Sequence, residues 1–162
     1  MVRFAYGVML ALLSVSVLGA GSHAQTDEPI IKLAGRWAGQ GVMTPASGPA
    51  ESFKCVITYF PNDNGSQVTQ NLRCRGMSYR FDAATHLDIE NGRVKGRWTD
   101  NIYALSGTVD GTVTASGFDI LLLGTLFTAK MTVVSSNCEQ SIVVVPERNT
   151  EMKELAAVLK KC

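Results

Sequence analysis

The chain has 162 residues, 46% of them hydrophobic and 18% charged, with a net charge of +1. Near-neutral charge gives no case for nucleic acid or an anionic membrane as the main partner. Four cysteines, two histidines and no close Cys-x-x-Cys pair argue for disulfides over a metal site.

Residues 1–24 read as a secretory signal: Arg3, an uncharged apolar run from Ala5 to Leu18, and Ser22-His23-Ala24 ahead of Gln25. The run is short of the roughly 20 apolar residues of a membrane span, so no transmembrane anchor is expected. The mature chain is then one domain, periplasmic or secreted, and expected to be monomeric. Residues 25–32 form a polar, flexible leader.

From Leu33 the chain becomes short alternating stretches separated by turn residues, the pattern of an all-β sandwich or barrel. Asn64-Gly65 and Asn91-Gly92 suit two-residue hairpin turns, and Asp110-Gly111 is a third candidate. A two-residue loop at Asn64-Gly65 sets Tyr59 opposite Gln70, Ile57 opposite Leu72 and Cys55 opposite Cys74, within disulfide range. A four-residue loop is expected to shift that register by two. The Asn91-Gly92 turn sets Ile89 against Val94 and Leu87 against Gly96. Val94, Gly96 and Trp98 then face one way and Arg93, Lys95 and Arg97 the other. Further strands are expected over 102–109, 112–123, 127–133 and 141–145, the last closed by Pro146. The run 120–123 is apolar on both faces and reads as buried twice.

Met152, Leu155, Ala156 and Leu159 follow helical spacing, predicting a C-terminal helix over 149–161, capped by Asn149 or Thr150. With Cys55 and Cys74 paired, Cys162 is left for Cys138, tying that helix to the sheet. The fold expected is a small antiparallel up-and-down barrel of 8–9 strands with a C-terminal α-helix.

Leu33 to Gly41 sets Trp37 among Gly35, Gly39 and Gly41. A tryptophan can plug a barrel end, and glycines let backbones approach closely. This Gly-x-Trp-x-Gly-x-Gly opening resembles lipocalin-like barrels, and nitrobindin-like haem-binding barrels in particular. Those barrels use a C-terminal histidine for iron, whereas residues 141–162 contain none and His86 is the one histidine after residue 24. No haem, other cofactor or metal is therefore expected, and a haem-binding barrel with a Met or Tyr ligand is the lesser alternative. Leu33-x-Gly35-x-Trp37 followed by a cysteine on each arm of the next hairpin is also similar to secreted metalloprotease inhibitors of Gram-negative bacteria, which implies an inhibitory role for the leader. The whole mature chain is similar to exported proteins of Gram-negative bacteria, a similarity that implies no activity.

Catalytic constellations are thin. His86 reads as an ordinary strand or loop histidine, and Asp119 as an acid pointing outward or meeting an arginine. No Gly-x-x-x-x-Gly-Lys or Gly-x-Ser-x-Gly occurs. The expectation is therefore a non-enzymatic envelope protein holding a small apolar ligand or a protein partner. Trp37, Tyr59, Tyr79, Phe81, Trp98, Phe127 and Met131 share the parity that either lines a cavity or fills the barrel. Arg93, Lys95 and Arg97, with Arg73 and Arg75, form a basic stripe suited to solvent or to an anionic partner such as lipopolysaccharide.

Overall fold

The computed structural model describes residues 28–147 and 150–162. The expected signal sequence, the first three leader residues and the Asn149 cap lie outside the described residues.

A one-turn helix, α1 (Glu28–Ile31), precedes ten strands. They are β1 (Gly35–Pro45), β2 (Glu51–Pro61), β3 (Gln67–Arg75), β4 (Arg80–Glu90), β5 (Arg93–Asp100), β6 (Leu105–Thr114), β7 (Gly117–Gly124), β8 (Thr128–Ser135), β9 (Glu139–Pro146) and β10 (Met152–Lys160). Each pairs antiparallel with its sequence neighbour, and β10 pairs with β1 to close the barrel. Closure leaves no sheet edge exposed.

The turns set the register. Asn91 and Gly92 both take positive φ (51° and 73°), the geometry a two-residue primed turn requires. Ile89 meets Val94 and Leu87 meets Gly96 as expected. At the first hairpin Cys55 meets Cys74, Ile57 meets Leu72 and Tyr59 meets Gln70. Its loop is nevertheless longer than two residues: Asn62 N–H donates to Gln67 O, and Gly65 takes positive φ (73°) whereas Asn64 does not. Loop 63–66 is centred on the same peptide bond as a two-residue loop, so the register does not shift.

Four expectations are corrected. The barrel has ten strands. Asp110-Gly111 is not a turn but lies within β6, where Asp110 reaches outward to Arg93 (2.8 Å) and Gly111 opposes Ile120. The described part of the expected helix, residues 150–161, is not helical. Met152–Lys160 is a strand whose inward residues Leu155, Ala157 and Leu159 alternate with Glu154, Ala156, Val158 and Lys160. β1 and β9 would otherwise each present an unpaired edge, and ladder bonds on both sides of β10 outweigh a local helical period. β7 turns Ile120 and Leu122 inward and Leu121 and Leu123 toward the outer face, so the run is not buried on both sides among the described residues.

Both disulfides join the expected partners: Cys55–Cys74 across β2 and β3, and Cys138–Cys162. The second fastens the end of β10 to the β8–β9 turn, where Lys161 N–H also donates to Cys138 O.

Leader residues 28–32 are not a free arm. α1 precedes β1 yet packs against β6, five strands away around the ten-strand barrel, so it crosses the barrel's end. Ile30, Leu33 and Trp37 are fully buried there, and Trp37 Nε1 donates to Leu33 O (2.7 Å). Lys161 Nζ lies 5.4 Å from the Trp37 ring centre. Tyr59 donates its hydroxyl to Gln140 Oε1 (3.1 Å), and Gln140 Nε2 donates to Ser135 Oγ (2.9 Å). Burial pushes the Tyr59 phenol well above its ordinary range, so it stays a neutral donor. This end of the barrel is closed.

Candidate functional site

The opposite end, where the odd-numbered strands finish, holds a cavity of about 170 Å³. Every surface it exposes is apolar. Phe81, Leu105, Leu122, Phe127, Val144 and Leu155 stand around it, with Ile57, Met131, Ile142 and Leu159 also on its walls.

One wall is built around Trp98. Trp98 pairs with Gly107, which pairs with Gly124 on the next strand. A Cβ on Gly107 would lie 2.7 Å from Trp98 Nε1, and one on Gly124 would lie 2.9 Å from Cζ2. The indole therefore lies across two glycines, meeting the Phe127 ring at a centroid distance of 5.5 Å and a tilt of 40°. Side chains at 107 or 124 would push it into the cavity. Nε1 is buried without an acceptor among the described residues, a cost of roughly 1–3 kcal/mol. It is not presented to the cavity, whose surface carries no polar atom.

The mouth is braced by carboxylates bonded to backbone. Asp100 Oδ1 accepts from Ile102 and Tyr103 N–H (both 2.9 Å), and Oδ2 accepts from Asp82 N–H (3.1 Å). Glu51 Oε1 accepts from Ser78 N–H (2.7 Å). That backbone bond holds the Glu51 carboxyl below its ordinary range. Its stabilising contribution is present above the ordinary glutamate pKa and is lost as pH falls through the lowered folded value. An NMR titration of the Ser78 amide should therefore show a midpoint below the ordinary glutamate pKa. A midpoint at or above that value would show that the bond does not form in solution.

Of the seven residues singled out from parity, Phe81, Trp98, Phe127 and Met131 line the cavity. Trp37 and Tyr59 pack the closed end instead, because α1 covers it. Tyr79 lies beside the β1–β2 loop, outside the cavity. The sequence reading missed the Cys55–Cys74 disulfide as part of the cavity wall, along with Leu72, Leu105, Leu122, Val144, Met152 and Leu155. The inward parity of β2 and β3 points to the cysteines, whereas the helical spacing of Met152, Leu155, Ala156 and Leu159 hides the cavity residues of β10.

His86 is on the outer face of β4, 3.2 Å from Thr69 Oγ1. Asp119 is on the outer face of β7 and accepts from Thr132 Oγ1 (2.7 Å). Neither reaches the cavity. No group of three or more metal-ligating side chains occurs among the described residues. Part of the expected basic stripe is paired: Arg93 bonds Asp110 and Arg73 lies 3.6 Å from Asp82, and Lys95 is flanked in register by Asp88 and Asp110, whereas Arg75 and Arg97 have no ion pair among the described residues.

No protein-family profile matches the chain, and no curated protein matches it in sequence. Solved structures do resemble it. Rv2717c from M. tuberculosis superposes with a TM-score of 0.69 at 15% identity, over 86% of this chain and 98% of that one. The S-type phycobiliprotein lyase CPES from Guillardia theta superposes with a TM-score of 0.58 at 11% identity, over 83% and 89% of the two chains. The chain thus has the fold of these small, closed, lipocalin-like barrels. The expectation that it is not an enzyme is overturned by the second comparison, since a barrel of this fold is a lyase. The thinness of familiar catalytic motifs was too weak a ground for excluding catalysis, because function is set by the site and not by the fold.

Proposed function

We propose that the protein is an exported, lipocalin-like carrier that holds a small apolar molecule in the cavity at the open end of its barrel. The carrying observation is a lining that exposes only apolar surface while one end of the barrel is closed. Such a lining offers no partner to a polar group, so a polar ligand would lose its water without replacement. An apolar cavity of about 150 Å³ holds benzene, and drug-sized ligands occupy roughly 300 Å³ or more. The ligand matched to this cavity is a compact hydrocarbon or aromatic body whose larger substituents project through the mouth.

Titration with the apolar fluorophore N-phenyl-1-naphthylamine tests this reading. Saturable binding is expected, and Leu155→Trp, which fills the mouth from β10, should weaken it at least about tenfold, the loss of roughly 1.4 kcal/mol of binding. Equal binding by the variant, or none by the wild type, would contradict the carrier reading.

Export is supported by Arg3, the apolar run and Ser22-His23-Ala24, together with two disulfides that suit an oxidising compartment. N-terminal sequencing of protein from the envelope fraction should begin at or near Gln25, and recovery of Met1 there would refute cleavage. The Gly35, Trp37, Gly39 and Gly41 pattern supports kinship with nitrobindin-like barrels as part of the same proposal.

A further inference from the structure

The two ends of the barrel differ in their loops. At the open end Met77 is 95% exposed, Leu126 76%, Ile102 50% and Tyr103 48%. They sit in the β3–β4, β7–β8 and β5–β6 connections, at the end of the barrel that holds the cavity, and Tyr103 also stands on the cavity wall. The turns at the closed end, 62–66, 91–92, 115–116 and 136–138, carry no exposed large apolar side chain, and α1 there exposes Ile31 to a lesser degree (37%). An exposed apolar cluster costs solubility and marks an interaction site when it is localised in this way.

A second feature lies beside the first. Lys54, Arg75 and Arg80 are exposed and stand in direct register across β2, β3 and β4. Arg75 and Arg80 flank the loop that carries Met77. Like charges directly opposed on a sheet repel each other. No carboxylate within ion-pair distance relieves them among the described residues, in contrast to Arg73 and Arg93. Apolar tips with a cationic row set back from them match the layering of an anionic membrane surface, acyl boundary first and headgroup phosphates behind.

We propose that the open end of the barrel docks on an anionic lipid surface, with Met77, Ile102, Tyr103 and Leu126 entering the interface and Lys54, Arg75 and Arg80 meeting lipid phosphates. The surface takes its purpose from the carrier reading above: an apolar ligand passes between membrane and cavity without crossing water. Docking is reversible, because four side chains and three charges bury far less than a spanning segment does.

Vesicle flotation tests it, using phosphatidylcholine alone and phosphatidylcholine mixed with phosphatidylglycerol. The wild-type chain should float with the anionic vesicles. Met77→Ser combined with Leu126→Ser, and Arg75→Gln combined with Arg80→Gln, should each lower partitioning at least about tenfold. Added salt should weaken the wild type and affect the arginine variant less. Phe60→Ser, which removes an exposed aromatic from the outer face near the closed end, should float like the wild type. All variants share the same N-terminal segment, so differences among them report the rim. Undiminished flotation of both double variants would overturn the proposal, as would failure of the wild type to float. A wild-type dimer that the Met77/Leu126 variant splits, without vesicle binding, would overturn it in favour of a second copy. The fluorophore titration without vesicles is independent: its failure alongside intact, rim-dependent flotation would remove the carrier reading and leave the docking surface standing.

Discussion

Gly39→Val is expected to destabilise the barrel by about 3 kcal/mol or more, read as a fall in the urea midpoint. Gly39 lies on β1, which closes the barrel by pairing with β10 on one side and β2 on the other. A Cβ at this position would meet Val158 O at 2.0 Å and Leu159 Cα at 2.8 Å. Both are backbone atoms of the facing strand, so no rotamer change relieves the clash and β10 has to move away. The movement would break ladder bonds at the seam and strain the end of β10, which Cys138–Cys162 fastens to the β8–β9 turn. Gly39→Ala should already show most of the effect, because the Cβ itself collides. A midpoint unchanged in both variants would mean that β10 does not close the barrel.

Trp37→Ala should cost about 3–5 kcal/mol, the usual range for removing a fully buried large aromatic. The indole fills the closed end beneath α1, and its N–H ties β1 to Leu33 O. Its loss opens a void that Ile30 and Leu33 cannot fill and removes the support of α1. Against a typical total stability of about 5–15 kcal/mol, this is a large fraction. Trp37→Phe keeps most of the volume and loses the hydrogen bond, so it should fall between the two. If Trp37→Ala unfolds at the wild-type midpoint, the closed end is not packed as described.

Much of the β2–β5 region was legible because turn chemistry is local. Asn91-Gly92 adopts the dihedrals its residues favour, and the register from it follows by counting. Counting also succeeded at Asn64-Gly65, although the loop there is longer, because the centre of a hairpin fixes its register. The C-terminal segment was illegible for the opposite reason. Leu155, Ala156 and Leu159 suit a helix, while Leu155, Ala157 and Leu159 suit a strand, and the choice is made by β1 and β9 on either side. β1 is more than 100 positions away in sequence, beyond the reach of any local window. The same error hid Met152 and Leu155 as cavity residues. Parity correctly turned Trp37 and Tyr59 inward but does not say at which height a side chain stands, and α1 closes the end where both lie.

The cavity itself follows from this asymmetry. Trp37, Tyr59 and the α1 residues fill one end, whereas at the other Gly107 and Gly124 let the Trp98 indole lie back against the wall. Methyl NMR of the protein titrated with naphthalene reads that arrangement most directly. Methyls of Leu72, Leu122, Ile142, Val144 and Leu155 should shift in a saturable manner, while those of Leu33 at the closed end and Val134 and Val158 on the outer face stay in place. Shifts confined to the outer-face methyls, or no saturable shift in the lining set, would contradict a carrier with its ligand inside the barrel.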